Sequence, residues 1–120
     1  MSDAQQARSS PAPVYEINDG VRRAKAADLA GKKTIPANVG DTFAVTEVPL
    51  QHIRSGELKP VIDISSPEAE DRWKGVLRGI VGGNPIEPIH VIEKPDSTGV
   101  PIRDVPIVKR GRRVDPFTGA

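Results

Sequence analysis

The residues best suited to chemistry sit in one run, Asn18-Asp19-Gly20-Val21-Arg22-Arg23. Asn, Asp and Gly tolerate left-handed backbone angles, so the run opens on a turn. A glycine between a strand and a helix lets backbone approach a ligand closely, and the free N–H groups of a helix start favour an anion. Arg22 and Arg23 add two guanidiniums suited to bidentate contact with phosphate oxygens. The functional reading is a phosphate or nucleotide site at Gly20–Arg23. The same residues would also make a solvated basic first turn, and the GxRR spacing alone does not choose between the two. Asp19 can orient an arginine or a metal, or can close an Asx turn.

Four further positions qualify for chemistry. Asp63 lies just before the main helix of the chain and Glu68 in its first turn. Either can act as a general base or a Mg2+ ligand if that end of the helix meets the phosphate turn. Asp63 suits a turn or cap role more readily, and Glu68 the role of a solvated partner to the helix dipole. His52, on an expected surface turn, could serve as the base of a phosphodiesterase-like reaction. His90 alternates with Ile89 and Val91 and is expected on the opposite face of its strand, exposed or satisfied. The histidines lack metal spacing, so a zinc site is not expected. The serines show no His-Asp pattern, and a serine hydrolase has no support. Near the end, Lys109, Arg110, Arg112 and Arg113 form the run KRGRR, which can contact nucleic-acid phosphates or an acidic partner, or can be a solvated tail.

The elements that must position these residues follow from local pattern. Residues 1–13 are small, polar and proline-terminated, and read as a disordered lead or linker. Tyr15 and Ile17 alternate with polar neighbours, as in a half-buried strand. Helix formers run from Val21 to Ala30, and Gly31 is a natural stop. Thr34-Ile35 restarts an extended segment ahead of Pro36. Phe43–Leu50 reads as a strand whose Pro49 either ends it or places it at an edge. Gln51–Gly56 suggests one helical turn, and Leu58–Ile64 a strand or extended loop.

Ser65–Gly83 is the clearest helix. A serine can cap it, Pro67 suits its first turn, and Glu68, Glu70 and Asp71 face the positive end of its dipole. Trp73, Val76, Leu77, Ile80 and Val81 follow the spacing of one buried stripe. Gly75 and Gly79 would permit close packing on a sheet. Pro88–Glu93 reads as a strand and Val100–Val108 as an extended edge or wrapping segment. Residues 109–120 read as a basic tail. Residues 14–108 then make one α+β domain: a small mixed sheet with two main helices.

Composition narrows the classes. The 120 residues are enough for one domain, with 37% hydrophobic and only 3% aromatic residues, so the core must be small and aliphatic. Twelve prolines and eleven glycines favour short elements and many turns. The formal net charge of +1 gives no global field toward nucleic acid. The absence of cysteine excludes disulfides, thiolate metal sites and a cysteine nucleophile. No apolar run approaches the roughly 20 residues of a membrane helix, and no signal-peptide apolar core opens the chain.

The segment VPLQHIRSGELKPVIDISSPEAEDRWKGVLRGIVGGNPIEPIHVIEKPD resembles the opening of a ParB/sulfiredoxin-like domain. That opening has a VPL..I box, an acidic helix start, an amphipathic helix, a glycine turn, and a PI.V strand. Tyr15–Val39 is similar to the second half of that family, where a strand leads into a GxRR box, a helix and a G...IPA.V sequence. Gly20, Arg22, Arg23, Ala24, Ala26, Ala27, Gly31, Ile35, Pro36 and Val39 fall on that pattern. The two blocks cover most of residues 14–94. Their order is the reverse of the family's, and the simplest reading is a circular permutation, the alternative being two generic β-α-β-like pieces. A permutation requires Tyr15–Asn18 to pair beside Ile89–Glu93.

The resemblance implies a small fold whose GxRR turn holds nucleotide phosphates, with a nucleoside triphosphate and Mg2+ as the cofactors to expect. Sulfiredoxin chemistry does not fit, since position 21 is Val where that activity needs Cys. The DNA-binding helical domain and the dimerisation region of partition proteins have no counterpart. What remains resembles the ParB-like nuclease modules at the C-termini of bacterial polymorphic toxins. In that setting the partners are nucleic acid or nucleotide and a cognate immunity protein, with no membrane partner. The site of action would be cytoplasmic, reached as part of a larger polypeptide through a dedicated secretion system. Three functions follow as expectations: an effector enzyme acting on nucleic acid or nucleotides, a nucleotide-binding module without catalysis, and a protein-interaction module in which the turn is only a turn.

Overall fold

The computed structural model describes residues 13–120; the expected disordered lead falls almost wholly outside them. The architecture is α+β, with two helices and a mixed sheet. The main sheet has six strands: β1 (Tyr15–Asp19), β2 (Thr34–Val39), β3 (Val45–Pro49), β4 (Ile53–Ser55), β6 (Ile89–Glu93) and β7 (Val100–Pro101), in the order β3-β2-β6-β1-β4-β7. A smaller sheet joins β5 (Ile62–Asp63), β8 (Ile107–Lys109) and β9 (Arg112–Arg113) in the order β5-β8-β9. The helices are α1 (Val21–Leu29) and α2 (Pro67–Val81), which pack on each other.

Strand β1 sits inside the main sheet. It runs antiparallel to β6, with Tyr15 opposite Glu93, Glu16 opposite Ile92 and Ile17 opposite Val91. It runs parallel to β4, with Tyr15 opposite Ile53 and Ile17 opposite Ser55. The pairing of Tyr15–Asn18 beside Ile89–Glu93 is therefore present. Parallel neighbours need crossover connections, and α1 and α2 lie within those crossovers. Strand β3 is an edge, as its Pro49 suggested, and β7 with Pro101 is the other.

The core is aliphatic. Ile17, Ile35, Ile53, Ile89 and Val91 bury one face of the sheet strands, and α1 buries Ala24, Ala26 and Ala27 together with Lys25. Alanines at these positions let α1 approach its neighbours closely, because no long side chain holds it off. Ser66 caps α2, its hydroxyl accepting from the Ala69 N–H at 3.1 Å. Trp73, Leu77 and Ile80 bury the helix stripe, with Val76 half-buried against it.

Several local expectations change. Residues 51–56 are only partly helical: a 3-10 turn covers Leu50–His52, and Ile53–Ser55 is strand β4. Three residues carry too little alternation to announce a strand; the parallel partner β1 decides it. Val81 is 56% exposed, because it is the last residue of α2, where the stripe runs out. Gly75 and Gly79 do not face the sheet: a Cβ at Gly75 would meet nothing within 4 Å, and one at Gly79 only Asn84 Nδ2 at 3.4 Å.

Residues 109–120, read as a basic tail, fold onto the domain. Strands β8 and β9 form a hairpin whose turn residues Arg110 and Gly111 have φ of 55° and 77°, the left-handed pair of a two-residue loop. Beyond it, Val114 packs on the core and the Pro116 carbonyl accepts from Trp73 Nε1 at 2.8 Å.

Candidate functional site

The corner between β1 and α1 is shaped by its glycine. Gly20 has φ 103°, a left-handed angle, and hands the chain directly from strand to helix. A Cβ there would lie 2.6 Å from Ile89 Cγ2 and 3.0 Å from Arg23 Nη2. The first helical hydrogen bond runs from the Ala24 N–H to the Gly20 carbonyl at 3.0 Å. The N–H groups of Val21, Arg22 and Arg23 thus lack intrahelical acceptors. No side chain caps them, and no acidic residue occupies the first turn of α1.

That corner forms one end of a cleft of about 440 Å³. The opposite side comes from Glu57, Pro60, Val61 and Ile62 ahead of α2, from Arg72 and Val76 on α2, and from Glu87 beyond it. Gly20, Arg22 and Arg23 thus share the lining of one concavity. Arg22 is exposed and Arg72 also lines the cleft; among the described residues neither guanidinium has an ion-pair partner. Arg23 is different. Its Nη1 donates to Glu87 Oε2 at 3.3 Å, and its Nη2 lies 3.6 Å from Asp19 Oδ2. Both carboxylates are highly exposed, at 87% and 85%, so these pairs are weak and exchangeable. The cleft holds three arginines and three carboxylates, so it carries no broad basic field.

Asp19 stands beside an arginine, Arg23. The other candidates lie elsewhere. Asp63 is held by the Ser65 hydroxyl and by the Ser65 N–H at 2.9 Å, which keep its carboxyl below the usual range. This is the turn role; Asp63 does not line the cleft although Ile62 does. Glu68 is exposed in the first turn of α2, also outside the cleft lining. His52 is half-buried, not on an open surface, and its enclosed Nδ1 has no partner among the described residues; it too is absent from the cleft. His90 is exposed, its Nε2 2.7 Å from the Gly40 carbonyl.

The basic run is distributed over the hairpin. Lys109 Nζ donates to Glu70 Oε2 at 3.0 Å, an interaction that holds Glu70 below its ordinary value, with Lys74 adding to it. Arg110, Arg112 and Arg113 are exposed on the hairpin and do not reach the cleft.

Arg72, Glu57 and Glu87 were not anticipated. Arg72 had a signal: it precedes Val76 by four residues and so shares its helix face. Glu57 and Glu87 lie in loops and had none. No group of three or more His, Asp or Glu among the described residues is placed to hold a metal ion. No helix among the described residues is long and apolar enough to cross a membrane. Comparison with protein-family models, curated proteins and solved structures finds no match.

Proposed function

We propose that the β1–α1 corner binds phosphate and that the protein is a ParB-like effector acting on nucleotides or nucleic acid through it. One observation carries this reading. Val21, Arg22 and Arg23, whose N–H groups lack intrahelical acceptors after a left-handed Gly20, line the same cleft as Arg72. A helix start with no acidic first turn and two arginines is a ready anion site. Any Mg2+ would be carried on the phosphates of a bound nucleotide. The pairing of β1 with β6 supports the permuted relation to ParB-like domains. The toxin setting, with its immunity partner and delivery within a larger polypeptide, rests on the sequence resemblance.

A second reading, binding without catalysis, has its own support: Asp63, Glu68 and His52 are all absent from the cleft. Turnover separates the two. Purified protein is incubated with nucleoside triphosphates and with RNA and DNA, with and without Mg2+, and products are resolved. Product formation abolished by Arg22→Ala supports the effector; binding without product supports the module. Growth arrest on bacterial expression, relieved by Arg22→Ala, supports the toxin setting, and unimpaired growth counts against it.

A further inference from the structure

A second concavity lies farther along α1, between that helix and the C-terminal hairpin. It measures about 390 Å³ and is lined by Lys25, Arg103 and Arg113, with Asp104 the only carboxylate. Leu29, Ile107 and Val114 supply its apolar wall. The unusual member is Lys25, which is only 8% exposed in the middle of a helix. Lysine is rarely buried without a charge partner. Here one of its three donors reaches the Arg103 carbonyl at 2.8 Å. Among the described residues no carboxylate forms an ion pair with it.

We propose that this groove binds a small organic anion, a carboxylate on an apolar body, with Lys25 as its central positive charge. A part-buried ammonium with one neutral acceptor and no ion pair carries a desolvation cost that its surroundings leave partly unmet. Burial indeed pushes Lys25 down from its ordinary value, while Asp28 and Asp104 pull it back. An incoming carboxylate supplies the missing counter-charge and accepts from the remaining donors. Arg103 and Arg113 at the rim favour the same sign of ligand. The apolar wall takes the body, the usual division of labour in a small-molecule pocket. With Asp104 on the lining and Asp28 close to Lys25, the net positive charge of the groove suits a singly charged carboxylate better than a doubly charged phosphate ester. The proposal is independent of the cleft at Gly20–Arg23.

The test titrates isotope-labelled full-length protein with benzoate, followed by two-dimensional amide NMR, with benzamide as a neutral control of the same shape. Saturable shifts at residues 25, 103–107 and 113–114 with benzoate, and none with benzamide, are expected. Lys25→Met keeps the side-chain length and should weaken benzoate binding about tenfold or more. Arg113→Gln, on an exposed strand, should weaken it several-fold and serves if Lys25→Met does not fold. Absence of saturable shifts, an equal response to benzamide, shifts confined to residues 20–23, or affinity unchanged by either substitution would each overturn the proposal.

Discussion

Ile89 Cγ2 stands 2.6 Å from where a Cβ on Gly20 would lie, so the strand beside β1 dictates the residue that starts α1. Gly20→Ala meets this contact and a left-handed φ of 103° at once. It should cost about 2–4 kcal/mol, as strain and overpacking together. Gly31→Ala is the internal comparison: φ is 81° there, but nothing lies within 4 Å. It should cost about 1 kcal/mol. Urea denaturation followed by circular dichroism ranks the two; equal costs would mean that the contact with Ile89 relaxes freely.

Much of this corner was legible from residues alone. The turn, the helix start at Val21, and the Gly31 stop all depend on local backbone chemistry, which short runs express. The alternation around Tyr15 and Ile17 likewise marked β1. Strand β4 was not legible, since Ile53 and Ser55 become strand residues only because β1 lies alongside. The same holds for the hairpin after Lys109, where Arg110 takes a left-handed angle that arginine rarely signals. For the site, Gly20, Arg22 and Arg23 were visible. Glu57 and Glu87 were not, because loops acquire neighbours only through the tertiary fold.

The C-terminal segment should matter to stability through Trp73. Its indole N–H donates to the Pro116 carbonyl, and the ring is 1% exposed. Trp73→Phe removes the donor and should cost roughly 1–3 kcal/mol, measured by the same denaturation. Unchanged stability would show that residues 114–120 are not docked as described.

The Glu70–Lys109 contact gives a pH signature. The carboxyl of Glu70 is held below its ordinary 4.5 by the Lys109 hydrogen bond and by Lys74. A depressed carboxylate stabilises the fold fully above its unfolded value and loses that effect as pH falls through the folded one. The melting temperature of wild type should exceed that of Glu70→Gln near neutrality, and the gap should close as pH falls below 4.5. A gap that persists or widens in acid would contradict the pairing.

Arg23 is held between Asp19 and Glu87, and both compete with any incoming anion. Replacing them together, Asp19→Asn with Glu87→Gln, should tighten pyrophosphate binding roughly two- to fivefold, the scale of exposed ion pairs. Weaker binding in calorimetric titration would instead make the carboxylates positioning groups for Arg23.

The most direct test is calorimetric titration of wild type and Arg22→Ala with pyrophosphate and with nucleoside triphosphates. Arg22 is exposed, so its removal should leave the circular dichroism and the melting temperature unaltered. The account predicts saturable binding by wild type, and a loss of at least about tenfold in the variant, or roughly 1.4 kcal/mol. Folded wild type that binds none of these ligands at millimolar concentration, or equal affinity in the two proteins, would contradict it.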